Sequence, residues 1–287
     1  MFYLIDKPLD FTSFDSIAVL RKKLHTKRIG HTGTLDPLAT GGLLIAAGNY
    51  TKLIPYFEKD TKEYEFSINF DGQSDSYDLG TQVDYISEEA QEKAKKDITK
   101  EKIQELLKTK FTGEILQIPP KYSALKIGGR KAIDMIVAGD TDFKMNERKA
   151  FVNNIELLDF SYPTASFRAE VSAGTYIRSI AYDMGIIFKT GGYITKLRRT
   201  KVGSLDLSMA QTIENFDKNK FFDLKILFKN KTFIELSKEV LDEINLGKKI
   251  KGKFDFKIGE EMFVFDGNNV TNIVIYDGEL LIPRKKI

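Results

Sequence analysis

The run from Lys62 to Asp71 constrains the fold of this chain more tightly than any other stretch. Tyr64, Phe66, Ile68 and Phe70 occupy alternate positions, with Glu65, Ser67 and Asn69 between them. Side chains of a strand point alternately to its two faces, so this run reads as a strand with one face buried and the other polar. Such a strand needs neighbours. Ser166 to Ala173 has the same alternation, with Phe167, Ala169, Val171 and Ala173 inward and Gly174 at its end. Elsewhere the apolar spacing turns helical. Ile177, Ile180, Ala181 and Met184 trace a buried stripe that runs to about Phe188 and leaves Arg178 off it. Ile17, Leu20 and Leu24 do the same for a helix from Thr12 to His25, with Thr12 or Ser13 as cap and Asp15 favouring the positive N-terminus. Met1 to Ile5 reads as a strand, Thr81 to Ile86 as a second short one, and Ile103, Leu106 and Leu107 mark a short amphipathic helix.

Bulk properties exclude more than they assign. The 287 residues contain no cysteine and two histidines, His25 and His31, so disulfide frameworks, thiol chemistry and a zinc centre are excluded. A magnesium site of carboxylates has no signature spacing here. Met1 to Ile5 is apolar but stops at Asp6-Lys7-Pro8, too short for a signal peptide, and nowhere do about 18 apolar residues run together. A soluble, cytoplasmic protein with no membrane partner is the expectation. The net charge of +3 is modest, yet basic residues cluster at Arg21 to Arg28, Lys121 to Lys131, Lys189 to Lys201 and Lys248 to Lys257. Folded onto one face they form a phosphate-tracking surface; pointing apart they are solvated stretches.

Gly30 to Ile45 is the least core-like stretch. Glycines at 30, 33, 41 and 42 allow backbone conformations closed to other residues, and Pro37 pushes Asp36 toward an extended conformation. Asp36 therefore sits on a stiff loop, pinned by Leu35 and Leu38, as a nucleophile, an acid/base, or a turn and helix cap ahead of Leu38. Thr32-Gly33-Thr34-Leu35 is similar to the loop of aspartyl-phosphate phosphotransferases, but Gly30-His31 stands where their nucleophile would, so no carboxylate is placed to accept a phosphate. Three further stretches leave two readings each. Tyr64 caps the core or offers a ring on which a base stacks. Arg178 makes a surface salt bridge or serves an anionic partner. The segment from Ile118-Pro119-Pro120 to Gly128-Gly129-Arg130-Lys131 is a plain loop or a mobile phosphate-binding one. Thr195 to Gly203, basic with Leu197 and Val202 as supports, suits an edge strand guarded by charge.

The run Gly30-His31-Thr32-Gly33-Thr34-Leu35-Asp36-Pro37-Leu38-Ala39-Thr40-Gly41 resembles, at every fixed position, the catalytic loop of the tRNA pseudouridine-55 synthase family, the TruB class. Lys7-Pro8 with Thr12-Ser13-Phe14, Lys62-Glu63-Tyr64, Pro119-Pro120-Lys121-Tyr122-Ser123-Ala124-Leu125-Lys126, Gly174-Thr175-Tyr176-Ile177-Arg178 and Leu197-Arg198-Arg199 with Val202-Gly203 resemble further motifs of that family, in its order. Ser74-Asp75-Ser76 departs from the family's Thr-Asp-Thr while keeping a hydroxyl on each side of the aspartate.

The resemblance implies an α/β (α+β) fold. Its catalytic domain is a large mixed, mainly antiparallel sheet flanked by helices and loops over residues 1–228, with an RNA-gripping insertion at about 119–150. A shortened PUA-like β module follows over 229–287, where Ser237 to Leu246 reads as a helix and three short strands come after it. The implied activity is isomerisation of uridine to pseudouridine in the T-loop of tRNA, at position 55, with no cofactor and no metal. Asp36 would be the nucleophile, Arg178 its partner and Tyr64 the ring stacked on the base. His31 would take part in extruding the base, with Tyr176 and Leu197 lining its pocket. Lys7, Lys121, Lys126, Arg130, Arg198 and Arg199 would contact RNA. The expected partner is the T-arm of tRNA, with no obligate protein partner and a monomeric state. Two rival readings are a tRNA chaperone or scaffold with dispensable catalysis, and a pseudouridine synthase of different RNA specificity.

Overall fold

A computed structural model describes residues 1–57, 60–267 and 269–287. Its centre is a ten-stranded sheet. Eight strands form the main path, in the order Gln211–Thr212, Phe2–Lys7, Ala39–Ala47, Tyr193–Val202, Lys62–Asn69, Thr164–Val171, Arg148–Ser161 and Gly113–Gln117. Ile29–His31 adds to Ala39–Ala47, and Leu205–Asp206 to Tyr193–Val202. Phe2–Lys7 runs parallel to Gln211–Thr212, and Tyr193–Val202 parallel to Ala39–Ala47; the other pairs are antiparallel. The sheet is thus mixed and mainly antiparallel.

The alternating runs lie side by side at its middle. Phe66 is level with Phe167 and Leu197, and the two phenyl rings stack with centroids 5.3 Å apart. Ser67 on the opposite face is also buried and bonds Ser166 at 3.0 Å, so both faces are covered there. The helix Ser13–Leu24 carries a full capping box between Thr12 and Asp15, and buries Ile17 and Leu20. His25 closes it in the left-handed region. The helix Ile177–Phe188 buries Ile177, Ile180, Ala181 and Met184.

Three expectations change. Tyr193–Val202 is an interior strand, not a guarded edge. Its charges find internal partners: Arg198 pairs with Asp6 at 2.7 Å, Lys201 with Glu63 at 3.1 Å, and Arg199 is bound to backbone. Arg178 lies off the apolar stripe of its helix yet is only 4% exposed, because loops from three other regions close over it. Where one amphipathic helix was expected there are two, Glu88–Asp97 and Lys100–Lys110; the first buries only Ala94 and so leaves no apolar stripe to read. The insertion between Gly113–Gln117 and Arg148–Ser161 also carries structure of its own. A short hairpin pairs Lys126–Ile127 with Arg130–Lys131, and a helix follows at Ala132–Val137.

After Phe228 a five-stranded sheet forms in the order Thr232–Glu235, Glu261–Asp266, Asn269–Tyr276, Leu280–Lys286 and Ile250–Lys251, with the helix Lys238–Asn245 packed beside it. It shares a core with the large sheet: Phe263, Phe265 and Ile273 join Phe2, Leu4, Phe57 and Phe228.

Candidate active site

The loop between Ile29–His31 and Ala39–Ala47 carries Asp36 and is tied down along its length. Leu35 is buried, and its backbone meets the Ser13 hydroxyl twice: the amide donates at 2.8 Å and the carbonyl accepts at 3.0 Å. Lys7, fully buried, donates to the carbonyls of Pro8, Phe11 and Pro37. Arg199, 2% exposed, donates to Gly42 O at 2.7 Å, Gly33 O at 3.0 Å and Thr34 O at 3.4 Å. Gly41, at φ +103°, lets that approach happen, since a Cβ there would come within 2.3 Å of Arg199 O. Lys7 and Arg199 therefore spend their donors on backbone. The RNA contact expected of Lys7 is not open to so buried and satisfied an ammonium, and its place in the motif reflects loop anchoring; Arg199 anchors the loop too, but its side chain also lines the cavity that Asp36 faces.

Asp36 faces Arg178 through both oxygens. Nη2 donates to Oδ1 at 3.0 Å, and Nε lies 3.0 Å from Oδ2 without hydrogen-bond alignment. The other donors of Arg178 go to Ser76 O at 2.8 Å and Tyr122 O at 3.0 Å, and Asp78 Oδ2 stands 3.7 Å from Nε. One guanidinium thus joins the Asp36 loop, the loop around Asp78 and the root of the insertion. Gln117 fixes the start of its helix, accepting from Tyr176 N and donating to Tyr176 O, both at 3.1 Å, while Ser179 Oγ donates to Ile118 O at 2.8 Å.

Burial raises the Asp36 carboxyl above its ordinary pKa, and the charge of Asp78 adds to this; Arg178 and Lys7 pull it back. The Arg178 side chain is 5% exposed and that of Asp36 35%, so the carboxylate faces an opening while its partner sits behind it. The opening is a cavity of about 360 Å³ lined by Asp36, Tyr64, Tyr176, Arg178 and Leu197, among others. That volume suits a single nucleoside. Six residues expected at a site from sequence, Arg199 being the sixth, therefore share one cavity.

The remaining expectations fall elsewhere. His31 lies on the strand beside Ile45 and does not line the cavity; burial and the charge of Arg199 hold its pKa low. Lys126 and Arg130 are exposed on the insertion, Arg130 3.7 Å from Asp140. Lys121 donates to Thr141 O at 2.8 Å and lies over the Phe143 ring. Arg198 is held by Asp6 and by Thr40 at 3.1 Å. Asp78, Gln117 and Ser13 were not expected at the site. Asp78 follows the Ser74-Asp75-Ser76 string by two residues, and a polar loop shows no periodicity by which to single it out. Among the described residues no cluster of His, Asp or Glu could hold a metal ion.

Comparison with known proteins places the chain among its relatives. Residues 21–177 match the model of the TruB family pseudouridylate synthase N-terminal domain. A tRNA pseudouridine synthase B of Parabacteroides distasonis is 36% identical over 218 residues, 74% of this chain and 89% of the relative. Its counterpart from Aquifex aeolicus is 34% identical over 252 residues, 87% of this chain and 85% of the relative. Among solved structures, a Cbf5-Nop10-Gar1 complex contains a chain that superposes with a TM-score of 0.71 at 20% identity, over all of this chain and 84% of that one. An H/ACA RNP bound to a substrate RNA gives 0.69 at 19% identity, over 99% of this chain and 84% of that one, so the fold is shared. With its N-terminal half matching the family model and relatives above one-third identity over most of its length, this chain belongs to the TruB family of pseudouridylate synthases.

Proposed function

We propose that the protein isomerises uridine to pseudouridine in the T-loop of tRNA, at position 55, with Asp36 as nucleophile. The observation that carries this reading is the Asp36–Arg178 pair at the wall of a nucleoside-sized cavity that also presents Tyr64. Isomerisation breaks the N1-glycosidic bond, turns the base and rejoins it through C5, with no net redox change. The step needs an ionised carboxylate aimed at one carbon, either ribose C1′ or uracil C6. Arg178 keeps Asp36 oriented, and the anchored loop keeps it from swinging away. Tyr64 offers a ring on which the base stacks, worth about 1–3 kcal/mol, with Tyr176 and Leu197 closing the pocket around it. Extruding a base from a folded RNA loop costs a few kcal/mol, which these contacts offset. Exposed Lys126 and Arg130 on the insertion, with Lys121 near its root, suit contact with the phosphates of the T-arm. The module after residue 228 adds RNA-binding surface.

The experiment is pseudouridine mapping on unmodified tRNA treated with the protein, together with tritium release from 5-tritiated uridine. Modification confined to the T-loop uridine is the expected result. Asp36→Asn should bind the T-arm and release no tritium; turnover by that variant removes Asp36 from the role.

A further inference from the structure

Tyr77 holds a backbone conformation that a bulky side chain rarely takes, φ +62°. Such an outlier persists only where the surroundings over-determine it, and outliers of this kind gather at functional sites. Four contacts of the surrounding loop do so here. Tyr77 N donates to Ser74 O at 3.1 Å, Tyr77 O accepts from Ile194 N at 2.9 Å, and Ser74 Oγ donates to Asp78 O at 2.6 Å. The fourth is a ring stack: Tyr77 lies on Tyr182 with centroids 4.2 Å apart and planes within 18°. Tyr182 is on the helix Ile177–Phe188, one turn beyond Arg178.

The two neighbours of Tyr77 are the ones that hold the guanidinium. Ser76 O accepts from Nη1 at 2.8 Å, and the Asp78 carboxylate stands 3.7 Å from Nε. With residue 77 left-handed, the chain turns so that the carbonyl before it and the carboxylate after it both face Arg178. Ser76 Oγ, donating to Asp78 Oδ1 at 2.6 Å, and Gly80 N, donating to the same oxygen at 2.9 Å, set the angle of that carboxylate. Stacking Tyr77 on the helix that carries Arg178 makes ligand and receptor parts of one rigid unit.

We propose that Tyr77, strained and stapled to Tyr182, is a positioning residue: it presents Ser76 O and Asp78 to Arg178 and thereby sets how Arg178 holds Asp36. The proposal rests on the reading of Asp36 as the catalytic carboxylate. The charged groups acting on Asp36 are Arg178, Asp78 and Lys7; those acting on Tyr77 are Asp183 and Asp75, with the titratable Tyr182 stacked on it.

The test compares the wild type with Tyr77→Gly, Tyr182→Leu and Tyr182→Phe on a T-arm hairpin. Tyr77→Gly keeps access to the left-handed conformation but loses the ring, and Tyr182→Leu removes the stack from the other side. Both should lower kcat about tenfold and change KM less than twofold. Both should also move the acid limb of the kcat profile away from its wild-type position, because Arg178 and Asp78, whose placement the variants disturb, both act on the Asp36 carboxyl. Tyr182→Phe, which keeps a stacking ring, should restore both quantities. A role confined to stability predicts something else: lower melting, unchanged kcat per folded molecule, and an acid limb where the wild type has it. Either that pattern, or Tyr182→Phe failing as Tyr182→Leu does, overturns the proposal. Turnover by Asp36→Asn would instead overturn the underlying reading of the site.

Discussion

Arg199→Met distinguishes an anchoring arginine from an RNA-binding one. The wild-type side chain serves two carbonyls of the Asp36 loop and one of the strand that follows it, two of the three at 3.0 Å or less, and is 2% exposed. Methionine fills similar space but donates nothing. Each buried carbonyl left without a donor costs about 1–3 kcal/mol. Counting the two short contacts, and setting the relief of a buried charge against the long third one, gives a loss of about 3 kcal/mol. For a chain of this length that corresponds to roughly 5 °C in Tm. Thermal unfolding measures it directly. The second assay is T-arm binding across a salt series, where each phosphate contact contributes about 0.7–0.9 to the slope of log K against log salt. Arg199→Met should leave that slope unchanged, whereas Arg130→Ala, on the exposed insertion, should reduce it. Unchanged melting together with a shallower slope for Arg199→Met would refute the assignment of Arg199 to the loop.

Other perturbations test neighbouring parts of the argument. Burial raises the Asp36 carboxyl, so the folded state holds that proton more tightly than the unfolded chain. Its stabilising contribution is complete below the ordinary carboxylate pKa and is lost as pH rises through the raised value; the Tm of the wild type relative to Asp36→Asn should therefore fall as pH rises through that range, and a difference that stays flat or grows with pH contradicts this. By the same shift, kcat/KM should begin to fall on the acid side at a pH above the ordinary aspartate value; a limb at that value contradicts it. Gln117→Glu cannot donate to Tyr176 O and should lower kcat with little change in KM, which steady-state kinetics on the hairpin will show. Phe263→Ala, in the core shared by the two sheets, should cost about 3–5 kcal/mol in one cooperative transition, and two resolved calorimetric peaks would count against the shared core.

The sequence exposes some of these groups and conceals others for identifiable reasons. Asp36 and Tyr64 could be singled out because each stands in a pattern that packing alone does not require, a Gly/Pro-stiffened loop and the open end of an alternating strand. Arg178 could be found only through its motif. Its burial was not legible, because the loops that cover it come from residues 36, 76 and 122 and helix periodicity carries no record of them. Lys7 and Arg199 show the opposite failure. A cation that satisfies buried carbonyls and one that awaits a phosphate are the same letter in the same kind of basic stretch. The helix Ala132–Val137 is too short to display a period, and Asp78 acts by its distance from a residue a hundred positions away.

The aromatic layer between the two sheets bears on how the newly made chain must mature. Phe2 packs against Tyr50 and Phe57, made soon after it, but also against Phe228, made much later, in a core that Phe263 shares. The strand Phe2–Lys7 can pair with Ala39–Ala47 early and meet Phe57 soon after, but part of its apolar underside waits until Phe228 and Phe263 have been made. A stalled or clipped product lacking the second sheet would carry that oily surface into the crowded cell, inviting chaperone capture or clumping, even with every group of the catalytic cavity already synthesised.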